Sequence, residues 1–225
     1  MRRRFEKIII STGIIFVLGL CGCGKKEDTV QAVDPENMKI LHDYFVYNGN
    51  GFYVDGLEWS DSWEDVKEAR GIEDTNILQE FTINDTMKGY TVQSDLWDEI
   101  PGCDAEENYS FSEEGQLSDI EVKVSISSEE AARTLLSEIL PWVQNNLPEP
   151  FYSSELLEQD ADAIIETLLK QSTPMTWNAE DGSQFNLETT GFDSTGYMST
   201  SFLVRTPEFS SSTVMRSIAD GARFR

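Results

Sequence analysis

Histidine is almost missing from this chain: His42 is the single copy in 225 residues. A histidine-based catalytic triad would have to use it, and no Gly-x-Ser-x-Gly elbow accompanies it. No lysine stands three residues after a serine, so a Ser-x-x-Lys nucleophile is absent as well. Cysteine is scarce too, with Cys21, Cys23 and Cys103 the full set. Cys-x-Cys lacks the two-residue gap of common zinc and thioredoxin-type motifs. A tetrahedral zinc site would need carboxylates for its remaining ligands. Gly49-Asn50-Gly51 is not followed by the third glycine of a phosphate-cradling loop. Asp181-Gly182-Ser183 is an acidic turn without the spaced ladder and distal Glu of an EF-hand. No catalytic residue, metal ligand or cofactor is therefore assigned.

Positive charge is also short. The chain holds 17 Lys and Arg against 41 Asp and Glu, a formal charge of −24. Four of the basic residues (Arg2, Arg3, Arg4, Lys7) lie in the first seven positions, with only Glu6 against them. From residue 23 onward 13 basic and 40 acidic residues remain, a net −27. Such a surface repels phosphate backbones and anionic headgroups, which argues against nucleic acid as a partner. A cationic partner suits it.

No apolar run is long enough for a comfortable membrane span. Ile8 to Leu20 is uncharged and mostly apolar. As a helix it reaches about 20 Å at ~1.5 Å per residue, against a hydrocarbon core of ~30 Å. A basic start, a short apolar middle and a small-residue end read as a secretory signal. Leu20-Cys21-Gly22-Cys23 resembles the lipobox of bacterial lipoproteins: an apolar residue, a variable one, a small one, then cysteine. The resemblance implies a diacylglycerol on the Cys23 thiol and cleavage between Gly22 and Cys23. A cut ahead of Cys21 would place Leu20 where a small side chain is wanted. Each buried CH₂ of such an anchor contributes roughly 0.8 kcal/mol, and two chains hold durably where one does not. The implied location is extracytoplasmic, lipid-anchored to the bacterial cell membrane. Cys21 leaves with the signal, so Cys103 is the one thiol left for other chemistry, and it reads as a half-buried loop cysteine.

What is present beyond the signal predicts an α+β fold. Residues 1–22 are the signal, 23–34 the acylated start and a polar tether, 35–127 a first α+β unit, 128–206 a second, and 207–225 a Ser-rich tail expected to fray. Asp34-Pro35 predicts a helix start, with Met38, Leu41 and Phe45 on one face and Asn48 to Gly51 as the stop. Ser62 caps a second helix, Asp65 completes a loose capping box, Trp63 and Val66 point inward, and Gly71 ends it. Ile77–Ile83 and Tyr90–Leu96 predict strands with Gly89 in the turn between them. Tyr109–Phe111 and Leu117–Ile126 flank a Ser112–Gly115 hairpin turn. Ile120, Val122, Val124 and Ile126 alternate with polar residues, the cleanest period-2 pattern in the chain. Ser128 caps the next helix, which Pro141 kinks or ends. A further helix is expected over 154–170, then strands at Met175–Trp177, Phe185–Thr189 and Tyr197–Val204.

The order predicts helix pairs packed on antiparallel sheet, with a loose duplication of two αα-β units about Ser127. It resembles the helix–helix–sheet modules of β-lactamase-inhibitor-protein and outer-membrane-assembly lipoproteins. That resemblance lies in element order, implies binding to other proteins and assigns no residue.

Two functional readings follow. The first is a cell-envelope lipoprotein acting as a non-enzymatic binding or protein-interaction module, for an envelope protein or a cationic partner. Trp59, Trp97 and Trp142 are its candidate binding aromatics, with core packing the competing role for each. The second is an envelope hydrolase using paired carboxylates, for which Glu106-Glu107 and Glu113-Glu114 are the visible pairs. A two-lobed solute-binding protein is disfavoured, because about 200 mature residues are few for two lobes. In cells fed a fatty-acid analogue, wild-type protein is expected to take up label and Cys23→Ala to take up none. Equal labelling of the two would end the lipobox assignment.

Overall fold

The computed structural model describes residues 44–83 and 86–206. The lipobox, the tether, His42, most of the helix expected from Asp34-Pro35 and the 207–225 tail lie outside them. The described part is mixed α+β and dominated by sheet.

Two short strands open it, β1 (Phe45–Tyr47) and β2 (Phe52–Val54), paired antiparallel. Phe45 was expected on a helical face and instead begins a strand. The Asn48–Gly51 segment is a hairpin turn, not a helix stop: the Asn48 side-chain oxygen accepts from the Asn50 and Gly51 N–H groups. Helix α1 (Trp63–Arg70) follows as expected. Ser62 caps it, Asp65 returns a bond to the Ser62 N–H, and Gly71 closes it in the left-handed conformation at φ 65°.

The main sheet has seven antiparallel strands: β3 (Ile77–Ile83), β4 (Met87–Ser94), β5 (Cys103–Phe111), β6 (Leu117–Ile126), β7 (Thr173–Asn178), β8 (Gln184–Thr189) and β9 (Met198–Arg205). Their order is β3-β4-β5-β6-β9-β8-β7. The pairing of β6 with β9 runs from Asp119↔Arg205 to Ile126↔Met198. It joins strands from both sides of Ser127 into one sheet.

Gly89 lies inside β4 and not in a turn. It faces Phe81 across the β3–β4 ladder, and a Cβ on it would come within 2.2 Å of the Phe81 ring. The ring covers the bare backbone that a strand glycine leaves.

Helix α2 (Glu129–Asn146) is capped by Ser128 and runs through Pro141 to Asn146. Leu140, Trp142 and Val143 are buried around the proline, so packing carries the helix past it. The single helix expected over 154–170 is instead two, α3 (Ser154–Leu157) and α4 (Ala161–Leu168). Asp160 divides them, because its carboxylate caps α4 by accepting from the Ala163 N–H. Arg133 on α2 meets Glu166 on α4 at 2.5 Å, and Lys170 meets the same carboxylate at 2.7 Å.

One face of the sheet is the core. Ile120, Val122, Val124, Phe185, Leu187, Phe202 and Val204 are buried there. Phe45 stacks on Phe202 and meets Phe185 edge-on, while Trp142 from α2 also meets Phe185 edge-on. The β1–β2 turn is fixed by the β7–β8 turn. Asp181 N–H donates to Asn50 O, and the Ser183 hydroxyl oxygen accepts from Phe52 N–H at 2.8 Å. The acidic turn at Asp181–Ser183 thus has a structural task.

The other face is polar, with Asn108, Glu121, Lys123, Ser201, Asn186 and Thr176 on successive strands. Hydroxyl–amide pairs cross it, Thr91 to Asn108 and Thr176 to Asn186, each at 2.7 Å. At one end Asp119, 7% exposed, lies opposite Arg205. Burial pushes its carboxyl up to about 6 from 3.8, against the pull of the Ser110 hydrogen bond and Arg205 and with a push from Glu121. The folded chain therefore holds this proton more tightly than the unfolded one. The contribution is whole below about pH 4 and is lost as pH rises through about 6, at most about 3 kcal/mol. Urea midpoints should show Asp119→Asn gaining on wild type between pH 4 and pH 7. An equal gap at both values would contradict this.

Candidate functional site

Strand β5 carries a carboxylate on the core side of the sheet. Ala105, Glu107, Tyr109 and Phe111 alternate inward, and Glu107 is 7% exposed. A buried carboxylate needs donors, and four elements supply them. Tyr44, just ahead of β1, donates its hydroxyl at 2.8 Å. Ser94 at the end of β4 donates at 2.7 Å. Tyr109 on β5 donates a short bond to the same Oε2 that Tyr44 reaches. Arg70, in the last turn of α1, brings its guanidinium to 3.9 Å from Oε2 and lies over the Tyr44 ring at 4.4 Å. Burial first, and then the charges of the cluster, hold both phenols well above their ordinary range, so they stay protonated donors.

Beside this cluster stand three rings, Trp63 and Tyr90 half-buried and Phe111 buried. Trp63, the first residue of α1, stacks on Tyr90 of β4 with centroids 4.1 Å apart and planes 3° from parallel. Phe111 stands edge-on to both at 6.0 Å. The three rings line a hollow of about 300 Å³ whose rim is the β5–β6 turn, with Glu113 and Glu114, and Thr86 and Lys88 opposite. Glu113 accepts the Thr86 hydroxyl at 2.9 Å, and the Lys88 ammonium turns to Glu80 at 3.3 Å. The hollow is thus a preformed aromatic cup with polar groups at its lip, a shape that receives a small apolar or ring-bearing group.

The sequence-predicted aromatics do not assemble into a docking face. Trp97 is 1% exposed and stacks on Phe202, and Trp142 is 2% exposed in the core. Both are corrected to core residues. Trp97 reaches its place at a left-handed φ of 63°, a strain of about 1–2 kcal/mol for a bulky residue. Trp59 is half-buried against the core and does not line the hollow. Trp63, expected only to point inward, is half-buried like Trp59 and is the tryptophan that lines the hollow. Tyr90 and Phe111 had no functional signal of their own: their alignment with Trp63 depends on the β4–β5 register, Tyr90↔Tyr109.

The paired carboxylates fare as follows. Glu106 and Glu107 are neighbours in a strand and point to opposite faces, so they do not flank one cleft. Glu113 and Glu114 share the rim of the hollow, where Glu113 is engaged by Thr86. Cys103 is half-buried, and burial raises its thiol to about 11. Among the described residues no group of three or more His, Cys, Asp or Glu is placed to hold a metal ion.

A second depression, about 410 Å³, opens at the far end of α2, bounded by Leu147, Pro148 and Leu157 with Glu149 and Glu158. No protein-family model matches the chain, and neither a curated protein nor a solved structure matches it.

Removing the Glu107 carboxylate leaves three hydroxyls and a guanidinium without the anionic acceptor that they share. Glu107→Ala should lose about 3–5 kcal/mol in urea unfolding. A loss below about 1 kcal/mol would show that Glu107 does not hold the corner together.

Proposed function

We propose that the chain is a lipid-anchored cell-envelope protein whose folded part binds another molecule without transforming it. The Trp63–Tyr90–Phe111 hollow is the binding site. The lipid on Cys23 ties the domain to the outer side of the membrane, and residues 24–34 give it reach. The observation that carries the binding role is the open aromatic cup itself. Trp63 and Tyr90, half-buried, and Phe111, buried behind them, are held in fixed mutual geometry at the mouth. The cup is rigid because α1, which bears Trp63, is fixed through Arg70 to the Glu107 cluster. Rigid aromatic walls lose little entropy on binding, which suits recognition. The absence of any catalytic motif in the sequence favours binding over hydrolysis.

The test is a ligand-observed NMR screen of the protein with benzylamine, tryptophan amide, benzoate and methyl glucoside. The three aromatic members are expected to bind, and Trp63→Leu and Glu114→Trp are expected to remove that binding. Glu114→Trp fills the mouth from the rim and leaves the aromatic wall in place, so it separates blockage from misfolding. Hits retained in full by both variants, or no hit at all, would reject the hollow as the site.

A further inference from the structure

We propose that the open edge of the main sheet, strand β3, takes up an extended segment of a partner protein whose side chains alternate between apolar and basic. No residue of β3 lines the aromatic hollow, so the proposal stands apart from the one above.

The two edges of the seven-stranded sheet differ. Edge β7 is closed by its own chain. The Phe151 and Tyr152 N–H groups both donate to Thr176 O, at 2.7 and 3.4 Å, and the Ser153 hydroxyl donates to Pro174 O at 2.9 Å. Pro174 itself has no N–H to offer. Edge β3 pairs with β4 and, among the described residues, with no other strand. An edge strand leaves about half of its backbone N–H and C=O groups pointing away from its one neighbour. Leu78, Gln79, Glu80 and Thr82 are exposed along it, Leu78 at 51%. Its one irregularity lies at the start, between Ile77 and Gln79, and the pairing from Gln79 to Ile83 is continuous. It contains neither proline nor lysine, the residues with which such edges are commonly guarded.

The side chains along the edge define the occupant. Phe81 lies opposite Gly89 and Ile83 opposite Met87. Both are half-buried at the margin of the sheet beside the buried Met87, so one face of an added strand meets apolar surface. Glu80 and Thr82 lie opposite Tyr90 and Lys88, on the other face. The charge there is negative. Glu73 and Asp74 precede the strand, and no basic residue occurs between Arg70 and Lys88. Lys88 reaches Glu80 at 3.3 Å with both side chains more than half exposed, a weak pair that a competing cation can displace. A second copy of the chain is a poor occupant. It would bring a net −24 against the same acidic edge, and like charges opposite each other across strands destabilise the pairing. A segment with arginine or lysine at alternate positions and apolar residues between them meets both faces. Main-chain bonds supply the affinity and the alternate side chains the selectivity.

The experiment follows amide hydrogen exchange in the ¹⁵N-labelled full chain with three peptides. These are acetyl-Thr-Val-Arg-Val-Arg-Val-Thr-amide, its analogue with glutamate in place of arginine, and its fully N-methylated analogue, which keeps the charge and cannot pair. The arginine peptide is expected to slow exchange at alternate β3 amides about tenfold, and the other two to slow none. Glu80→Lys should weaken the arginine peptide about three- to tenfold without moving the urea midpoint. Trp63→Leu should leave this binding intact, and its loss there would put the peptide in the hollow and reject the edge. No slowing by the arginine peptide, or equal slowing by either control, would overturn the proposal. Protection of every β3 amide without peptide would show that the chain covers its own edge. Protection that rises with protein concentration alone would assign the edge to a second copy. Either result also overturns it.

Discussion

Glu107 is a carboxylate on the wrong side of a sheet. The other inward residues along β5 are Ala105, Tyr109 and Phe111, all apolar or aromatic. A charge in such a place is tolerable only if donors converge on it, and removal of one partner is far more harmful than replacement of the whole set. Here the donors come from the residue before β1, from α1, from β4 and from β5 itself. No one of these elements is near all the others in sequence; Tyr44 and Glu107 are 63 residues apart. The carboxylate thus fixes where α1 lies on the sheet. Since Trp63 is the first residue of α1 and Arg70 the last, fixing one end of a two-turn helix fixes the aromatic ring at the other.

The same economy shapes the rest of the molecule. The sheet has one face to bury, and α2, the β1–β2 hairpin and α1 share it. The hairpin is too short to be stable alone. It is held to the β7–β8 turn by one backbone bond and the Ser183 hydroxyl, and by Phe45 and Phe52 packed against Phe185. The opposite face is left to water, with hydroxyl–amide and amide–carboxylate pairs across it. Hollows on this sheet lie at corners and ends, where helices stop and turns project. Both hollows described above are at such places, one where α1 begins and one where α2 ends.

Local features were legible in the sequence wherever one residue type decides the geometry. Ser62, Asp65 and Gly71 delimit α1 because capping is a contact over three or four residues. The alternation from Ile120 to Ile126 marked β6, and Ser112 to Gly115 marked its hairpin. What was not legible depended on distant partners. Phe45 has helical spacing with Leu41, and only β2 and the sheet make it a strand. Gly89 reads as a turn until Phe81 is seen lying across it. Asp160 reads as one more acid in a helix, and its role as a cap appears only when the helix breaks there. Trp97 and Trp142 could not be told from surface tryptophans, because burial at those places is decided by β9 and β8. Glu107 did leave a signal. Extending β5 back from Tyr109 through Glu107 to Ala105 puts a single carboxylate on an apolar face. It was hidden by Glu106 beside it, which made the two look like a solvated pair.

The acidity of the chain bears on partner choice through position more than through amount. A net charge of −24 spread evenly would repel anions and attract every cation weakly. At the end of α2 Glu149 and Glu158 are exposed on one cleft whose lining contains no basic residue. At the aromatic hollow the balance differs: Lys88 stands opposite Glu113 and Glu114, and Thr86 already occupies one of the two carboxylates. On the binding reading proposed for that hollow, shape and ring contacts outweigh charge.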